Sequence, residues 1–255
     1  MSEPKVVEPI KKITDAASQA VQAEAAPPHV RRYRAWLFRI ALLFVAGAFG
    51  GLTFLVKVMP SFTIDLQITR AIQMVKFAPF AVLMSVTSWP GFSPQSMIIT
   101  GLIILLIFGI GLHWEAVMAL VAALLSTGIN LAVKDLIQRP RPGSGQVNVI
   151  TTLTSYSFPS GHVMFYVGFF GFIGFLAYSL LKPSLKRTLL LAFVSGLVVL
   201  IGASRIYLGE HWASDVLGSY LLGSLTLVAI IQIYVWGKTR FFVHQPVVAA
   251  EPLKT

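Results

Sequence analysis

The sequence predicts an all-α membrane protein built around a bundle of six transmembrane helices. Of the 255 residues, 56% are hydrophobic and only 12% are charged, whereas roughly a quarter of the residues in a soluble domain are charged. Mean hydropathy is +0.77, and the charged residues cluster between long apolar stretches. Several of these stretches approach the roughly 20 residues that a spanning helix needs.

The chain begins with a polar, Ala-rich segment at residues 1–34 that contains the Pro27-Pro28 pair. We interpret this segment as a mobile cytoplasmic tail. It lacks the apolar region of a cleaved signal peptide, so we expect the first membrane helix to remain in the protein. Residues 35–238 form the predicted membrane domain, and residues 239–255 form a cytoplasmic C-terminal tail.

Six apolar stretches define the predicted spans. Five are close to full length, and the sixth is continuous from Ala116 to Val133 apart from Ser126-Thr127. Small polar residues of this kind are tolerated where membrane helices pack together. The predicted spans cover about residues 37–56, 96–112, 115–133, 163–181, 188–204 and 215–236.

Residues 60–94 do not fit this pattern. They contain Asp65, Arg70 and Lys76, followed by an apolar run at residues 77–87. That run is too short to span a bilayer, so we expect an interfacial or re-entrant segment. If it crossed the membrane, the orientation of every later helix would change.

The charged residues favour one orientation and one class of partner. The formal net charge is +10, and with the N-terminus inside, 13 of the 20 Lys and Arg residues fall on the inner side. This asymmetry predicts that both termini are cytoplasmic. In so apolar a chain, the excess positive charge favours anionic lipid as a partner and disfavours nucleic acid. The absence of cysteine excludes disulfides, thiolate nucleophiles and Cys-ligated metals.

Three polar clusters stand out between the predicted spans. The first runs from Lys134 to Pro142 and ends in two Arg-Pro pairs. Proline restricts the local backbone and therefore the direction of Arg141, and a guanidinium held in one direction suits an anionic ligand. The alternative is an ordinary basic loop beside a membrane helix.

The second cluster is Phe158-Pro159-Ser160-Gly161-His162, directly before an apolar run. Its residue types are typical of a helix start, at which Ser160 could simply cap the helix. The free N–H groups of such a start, with a glycine that allows close approach, also form a ready phosphate site. His162, taken alone, could be structural.

The third cluster runs from Ser204 to Asp215 and joins the fifth predicted span to the sixth. His211 and Asp215 are four residues apart, so they share one face if the sixth helix begins near His211. The carboxylate would then orient the imidazole, as a nucleophilic or general-base histidine requires. The alternative is a His-Asp pair that stabilises a turn.

The predicted topology brings all three clusters to one membrane face. An anion site for phosphoryl transfer results, because three cations can balance the charge of a phosphate while one histidine attacks phosphorus and the other protonates the leaving oxygen. Polar and ionisable groups at membrane helices are functional candidates by default.

Together the clusters resemble the signature of the type 2 phosphatidic acid phosphatase (PAP2) superfamily, which reads K-x6-R-P, P-S-G-H and S-R-x5-H-x3-D. Every fixed position matches within residues 134–215. The resemblance implies a PAP2/haloperoxidase-like core. It also implies that His211 is a nucleophile that forms a phosphohistidine, that Asp215 holds its ring, and that His162 protonates the leaving group. The residues implied to bind phosphate are Lys134, Arg141, Ser160, Gly161 and Arg205.

The expected activity is therefore a lipid phosphate phosphatase with no metal or other cofactor, acting at the extracytoplasmic face of a bacterial plasma membrane. Asp135 and Glu210 are interpreted as solvated or supporting residues. Undecaprenyl pyrophosphate is the favoured substrate on the family resemblance, with phosphatidic acid, phosphatidylglycerol phosphate and lipid A phosphates as alternatives. A vanadate haloperoxidase is disfavoured because that branch is soluble. A lipid phosphate transporter that does not hydrolyse its substrate is the alternative of another class. The oligomeric state is left open.

Overall fold

A computed structural model describes residues 27–242. The expectations for residues 1–26 and 243–255, which cover most of both predicted tails, lie outside this range. Within it, all regular secondary structure is helical, in agreement with the predicted fold class. The helices are α1 (Pro28–Val58), α2 (Thr63–Gln73), α3 (Ala78–Ser88), α4 (Gln95–Gly109), α5 (His113–Ile137), α6 (Gly161–Leu180), α7 (Leu185–Tyr207) and α8 (Ala213–Phe241).

Five of these helices, namely α1, α5, α6, α7 and α8, are long and apolar enough to cross a membrane. The second predicted span is observed as α4, which has only 15 residues. It reaches spanning length only together with α3, from which it is bent by 66° across a short break. The described residues therefore contain six spans if this bent pair counts as one.

The ambiguous segment 60–94 forms two 11-residue helices, α2 and α3, followed by a 3-10 turn at Trp89–Gly91. Both helices turn buried polar side chains toward the interior, including Asp65 on α2 and Ser88 at the end of α3. Helix α3 packs along α7, while α2 contacts both α7 and α8. This segment consequently contributes side chains to the interior.

The described residues divide into two compact units, 27–44 and 45–242. In the first, the described residues form the N-terminal part of α1. The core of the second unit comes mainly from α5, α6, α7 and α8, and its largest fully buried apolar side chains include Tyr166, Phe169, Phe172, Ile201 and Ile230. A smaller cluster joins Val56, Ile137 and Phe158.

Helix α6 is not uniform. A π-helical turn at Tyr166–Phe170 interrupts it one turn after its start, and such turns are frequent near functional sites. A Cβ at Gly168 would overlap the Ser126 side chain. Glycine therefore allows α6 to approach α5 closely just below the Pro-Ser-Gly-His turn.

Candidate active site

The three sequence clusters meet at one end of the bundle, where α5 and α7 end and α6 and α8 begin. Helix α5 ends at Ile137, and Gln138 adopts the left-handed conformation with φ 56°. This conformation stops the helix and turns the chain back over the bundle. Lys57 donates to the carbonyls of Leu136 and Ile137 at 3.1 and 3.2 Å, which satisfies the exposed end of α5.

His211 lies at the centre of this end and is 1% exposed. Its Nε2 is 3.2 Å from Nη1 of Arg141. Because a guanidinium only donates, Nε2 accepts and the ring hydrogen lies on Nδ1. The Nδ1 atom is 3.4 Å from both Asp215 Oδ2 and Ser157 Oγ. The ring is therefore held with its potential nucleophilic nitrogen toward the cations and its N–H toward the carboxylate.

The His211–Asp215 pair forms differently from the sequence expectation. Helix α8 begins at Ala213, so His211 precedes the helix and the pair does not share a helical face. Asp215 instead caps the helix start, because its Oδ2 accepts from the N–H of Trp212 at 2.9 Å. The same oxygen accepts from Ser157 Oγ. The chain folds back at the helix N-terminus, which places the carboxylate beside the ring.

Burial and charge together fix the protonation of His211. Burial lowers the pKa of His211 well below its usual 6.5, and the positive charges of Arg141, Lys134 and Arg205 lower it further. Burial also lowers the pKa of Arg141, to about 10. At neutral pH the imidazole is therefore neutral while the guanidinium beside it remains charged, as an attack on a bound anion requires.

The three predicted cations approach the site from different elements. Lys134, on α5, is 5% exposed and donates to the carbonyl of Tyr156 and, at 3.3 Å, to that of Ser157. Arg141 donates to Ser155 O at 2.6 Å and to Glu210 O at 2.6 Å. These backbone contacts hold both side chains against the site.

Arg205, near the end of α7, is completely buried. Its guanidinium contacts the Glu210 carboxylate and the Ser88 hydroxyl, and lies 5.1 Å from the centre of the Phe92 ring. The same ring packs edge-on against the imidazole of His162, with 4.6 Å between centroids. Arg205 and His162 are thus brought together by the segment between α3 and α4.

The Pro-Ser-Gly-His turn is anchored from two helices. The N–H of Ser160 donates to Ser219 Oγ at 2.6 Å, and Asn130 Nδ2 donates to Pro159 O at 3.0 Å. A Cβ at Gly161 would lie 3.2 Å from Asn130 Oδ1, so a larger residue would crowd this anchor. Among the described residues, Ser160 Oγ and His162 Nε2 are buried without a hydrogen-bond partner. Two polar atoms are therefore available to a ligand at this turn.

An apolar cavity of about 580 Å³ opens beside this turn, between α4, α5 and the start of α6. His162, Gly161 and Asn130 line its polar end, while residues such as Met97, Ile104 and Leu124 line the remainder. A cavity that is polar at one end and apolar along spanning helices suits an amphiphile.

Sequence reasoning missed several residues here. Arg139 was counted only as a loop charge, yet its side chain is fully buried and pairs with Asp65 and Asp215. Glu210 was interpreted as solvated or supporting, and it is 2% exposed and contacts Arg205. The hydroxyl of Ser157, next to the recognised motif, bridges toward the His211–Asp215 pair.

Within the described range, no group of three or more His, Asp or Glu side chains is placed to hold a metal ion. The catalytic and phosphate-binding roles assigned from the sequence stay predictions. What the geometry provides is a buried neutral imidazole beside three cations, a helix start with unpartnered polar atoms, and an apolar cavity that reaches the same place.

Known proteins share part of this sequence and its fold. Residues 115–238 match the model of the PAP2 superfamily. The chain is 32% identical over 113 residues to phosphatidylglycerophosphatase B of Bacillus subtilis (strain 168), which covers 44% of this chain and 54% of that protein. It is 36% identical over 80 residues to undecaprenyl-diphosphatase of Sulfolobus acidocaldarius, which covers 31% of this chain and 34% of that protein.

The chain thus aligns with about half, or less, of the length of these curated relatives. Its fold is also seen in the crystal structure of a transmembrane PAP2-type phosphatidylglycerolphosphate phosphatase from Bacillus subtilis, with a TM-score of 0.68 and 24% identity. That match covers 79% of this chain and 98% of the solved one. The helical fold is therefore a known membrane-protein architecture.

Proposed function

We propose that this chain, which belongs to the PAP2 superfamily, is an integral membrane phosphatase of lipid phosphates or diphosphates that acts through a phosphohistidine. One observation carries the proposal: neutral, buried His211 lies 3.2 Å from the Arg141 guanidinium at a cationic end of a membrane bundle. A neutral imidazole aimed at fixed positive charge is suited to attack an anionic phosphorus centre.

In the first step, Nε2 of His211 attacks phosphorus, the N–P bond forms and the P–O bond to the lipid breaks. His162 gives a proton to the departing oxygen. Asp215 stabilises the ring hydrogen on Nδ1 as the imidazole becomes positively charged. In the second step, water attacks the phosphohistidine, with His162 as the base, and inorganic phosphate is released.

Substrate binding must displace one contact. Arg141 Nη1 donates to the Nε2 lone pair of His211, and that lone pair is needed for attack. Phosphate oxygens are stronger acceptors for a guanidinium than an imidazole nitrogen is. We therefore assign Arg141 to the bound phosphate, together with Lys134 and Arg205. Ser160 Oγ and the N–H of Gly161 complete the phosphate site at the helix start.

A lipid substrate is supported by the apolar cavity beside His162, which can hold a hydrocarbon chain while the head group reaches the cations. Undecaprenyl diphosphate is the favoured substrate, and a relative bears that activity in its name. Phosphatidic acid and phosphatidylglycerol phosphate are the alternatives, the latter supported by the name of another relative.

The proposed location follows from charge. With the N-terminus inside, most Lys and Arg residues lie on the cytoplasmic side, which orients the bundle with its termini inside and its cationic site outside. We propose the plasma membrane of a bacterium, with the site on its extracytoplasmic face.

The test is phosphate release by detergent-purified protein, in EDTA, from each of the three lipids. His211→Ala should abolish release, since the attacking nitrogen is gone. His113→Ala is the matched control, because His113 is exposed at the start of α5 and distant from the site clusters in sequence, and it should retain activity. Vanadate, which adopts the geometry of five-coordinate phosphorus, should inhibit.

A non-hydrolytic lipid phosphate transporter is the competing function. It predicts no phosphate release from any lipid by folded protein, while flux of lipid across vesicles persists in His211→Ala. A loss of activity on addition of EDTA would contradict the metal-free mechanism and leave the phosphatase assignment intact.

A further inference from the structure

Arg139 makes four side-chain hydrogen bonds at this end of the molecule, and the proposed chemistry does not use it. Its side chain is 0% exposed. It donates from Nε to Pro60 O at 2.8 Å, from Nη1 to Ser214 Oγ at 2.8 Å and Asp215 Oδ1 at 2.5 Å, and from Nη2 to Asp65 Oδ2 at 2.8 Å. Its guanidinium thus joins two carboxylates from distant parts of the chain.

Asp65, on α2, is 1% exposed, and its carboxylate only accepts hydrogen bonds. Its Oδ1 accepts from Ser214 N–H at 2.8 Å, and its Oδ2 accepts from Ser214 Oγ at 2.5 Å and from Arg139. Asp215 likewise accepts from Arg139, Trp212 N–H and Ser157 Oγ. Because every partner of both side chains can donate, the arrangement fits two ionised carboxylates around one guanidinium.

The charge of this group matters to His211. Asp65, Arg139 and Asp215 together carry one net negative charge, next to the Nδ1 edge of the imidazole. Without Asp65, Arg139 would neutralise Asp215 and the group would carry no net charge. In a buried site the loss of one charge near an ionising ring has a large effect, since little solvent screens it.

We propose that Asp65 is a positioning residue for His211: by balancing Arg139 it preserves the negative charge of Asp215 that supports the ring hydrogen as the imidazole attacks. This inference rests on the proposed phosphohistidine mechanism. Helix α2, which contains none of the sequence motifs, thereby contributes a functional residue to the site.

Several other charged or titratable groups face His211, and none of them lies on α2. Burial and three cations already lower the pKa of His211. The groups that act on the ring from neighbouring elements are Lys134 on α5, Arg141 in the following loop, His162 on α6, Arg205 on α7 and Asp215 at the start of α8. Two more charged groups contact members of this set: Arg139 contacts Asp215, and Glu210 contacts Arg205. The negative charge preserved by Asp65 opposes that positive surplus.

The experiment compares Asp65→Asn, the double variant Asp65→Asn/Arg139→Gln, and Thr69→Val. Asn has the shape of Asp but removes the charge. The double variant removes both charges and so returns the net charge of the group to the single negative charge of Asp215. Thr69 is the matched control, because it is buried on the same helix and bonds only the backbone of Asp65 at 2.8 Å.

The kinetic expectation is specific. Asp65→Asn should lower kcat roughly 10- to 100-fold, as loss of an outer partner of a functional histidine typically does, with KM changed less than about threefold. In Asp65→Asn the acid limb of the pH profile of kcat/KM should move to lower pH, because an imidazole with less negative charge nearby is protonated only at lower pH. The double variant should recover most of the loss, and Thr69→Val should behave as the wild type.

A structural role alone predicts another pattern. Asp65→Asn would then keep the wild-type pH profile, and the double variant, with two altered buried side chains, would be worse than the single one. Either result overturns the proposal. If Asp65→Asn does not fold, the double variant decides: a folded protein with near wild-type kcat supports charge balance, and an inactive one refutes it.

A second readout does not depend on turnover. A ¹⁵N-histidine NMR titration of vanadate-free protein reports the tautomer and the pKa of His211 directly. We expect the Nδ1–H tautomer in the wild type and protonation at lower pH in Asp65→Asn, reversed in the double variant. If the wild type hydrolyses no lipid phosphate, the proposed function fails, while this titration still tests the link between Asp65 and His211.

Discussion

Gly91→Ala offers a direct test of the role of His162, because the added methyl group points at its ring. A Cβ at Gly91 would lie 2.9 Å from His162 Nε2 and 3.0 Å from Cγ, and closer still to Cδ2. Ordinary contacts begin near 3.4 Å, so the imidazole must move by about 1 Å. It can do so because one side of the ring borders the apolar cavity.

A displacement of about 1 Å in a reacting group costs roughly 100-fold in rate, or about 2.7 kcal/mol of transition-state stabilisation. We therefore expect kcat for phosphate release to fall about 100-fold, while the protein remains folded because the methyl group displaces only a side chain. The assay is steady-state release of phosphate from the preferred lipid, with thermal unfolding in detergent measured alongside.

Gly101→Ala is the matched control. Gly101 lines the same cavity, but a Cβ there meets nothing within 4 Å, so its rate should equal that of the wild type. Wild-type kcat in Gly91→Ala would refute the assignment of His162 as the proton donor. An equal loss in both glycine variants would show that the cavity, and not the ring position, limits the rate.

Three further predictions follow from named contacts. Because the pKa of His211 is lowered, its neutral, attacking form persists below pH 6.5, and the acid limb of the pH profile of kcat/KM should lie below pH 6.5. Arg141→Gln removes a nearby positive charge and should move this limb to higher pH. An acid limb at or above pH 6.5 in the wild type would contradict this. Tyr234→Phe removes the hydrogen bond to buried Glu115 and should lower the free energy of unfolding by about 1 kcal/mol, with unchanged kcat. Asn130→Ala frees the carbonyl of Pro159 and should weaken vanadate inhibition; unchanged inhibition would show that the turn holds without this anchor.

The sequence was most informative where chemistry is local. The Pro-Ser-Gly-His turn was predicted as a helix start, and α6 does begin at Gly161. The three clusters were predicted to share one end of the bundle. The contact of Arg141 with His211 joins the first cluster to the third, and Arg205 and His162, from the third and second clusters, pack against the same Phe92 ring. The order and spacing of the clusters along the chain indicate which end of the bundle each one reaches, because consecutive membrane helices alternate in direction.

What could not be predicted depends on long-range pairing. Asp65 and Ser214 are 149 positions apart, and no local pattern in an ambiguous segment marks one aspartate as buried. Arg139 resembled a flanking loop charge until its partners were known. Helix α8 begins two residues after His211 because Asp215 caps its start, which hydrophobic periodicity cannot reveal.

The pairing of Arg139 also bears on biogenesis. Its two carboxylate partners lie 74 residues before it and 76 residues after it in the chain. During synthesis Asp65 has therefore already been made when Arg139 leaves the ribosome, whereas Asp215 is made only later, at the start of α8. Arg139 and Asp65 can therefore pair first as one guanidinium and one carboxylate, and the group gains its net negative charge only when Asp215, at the start of α8, has been made.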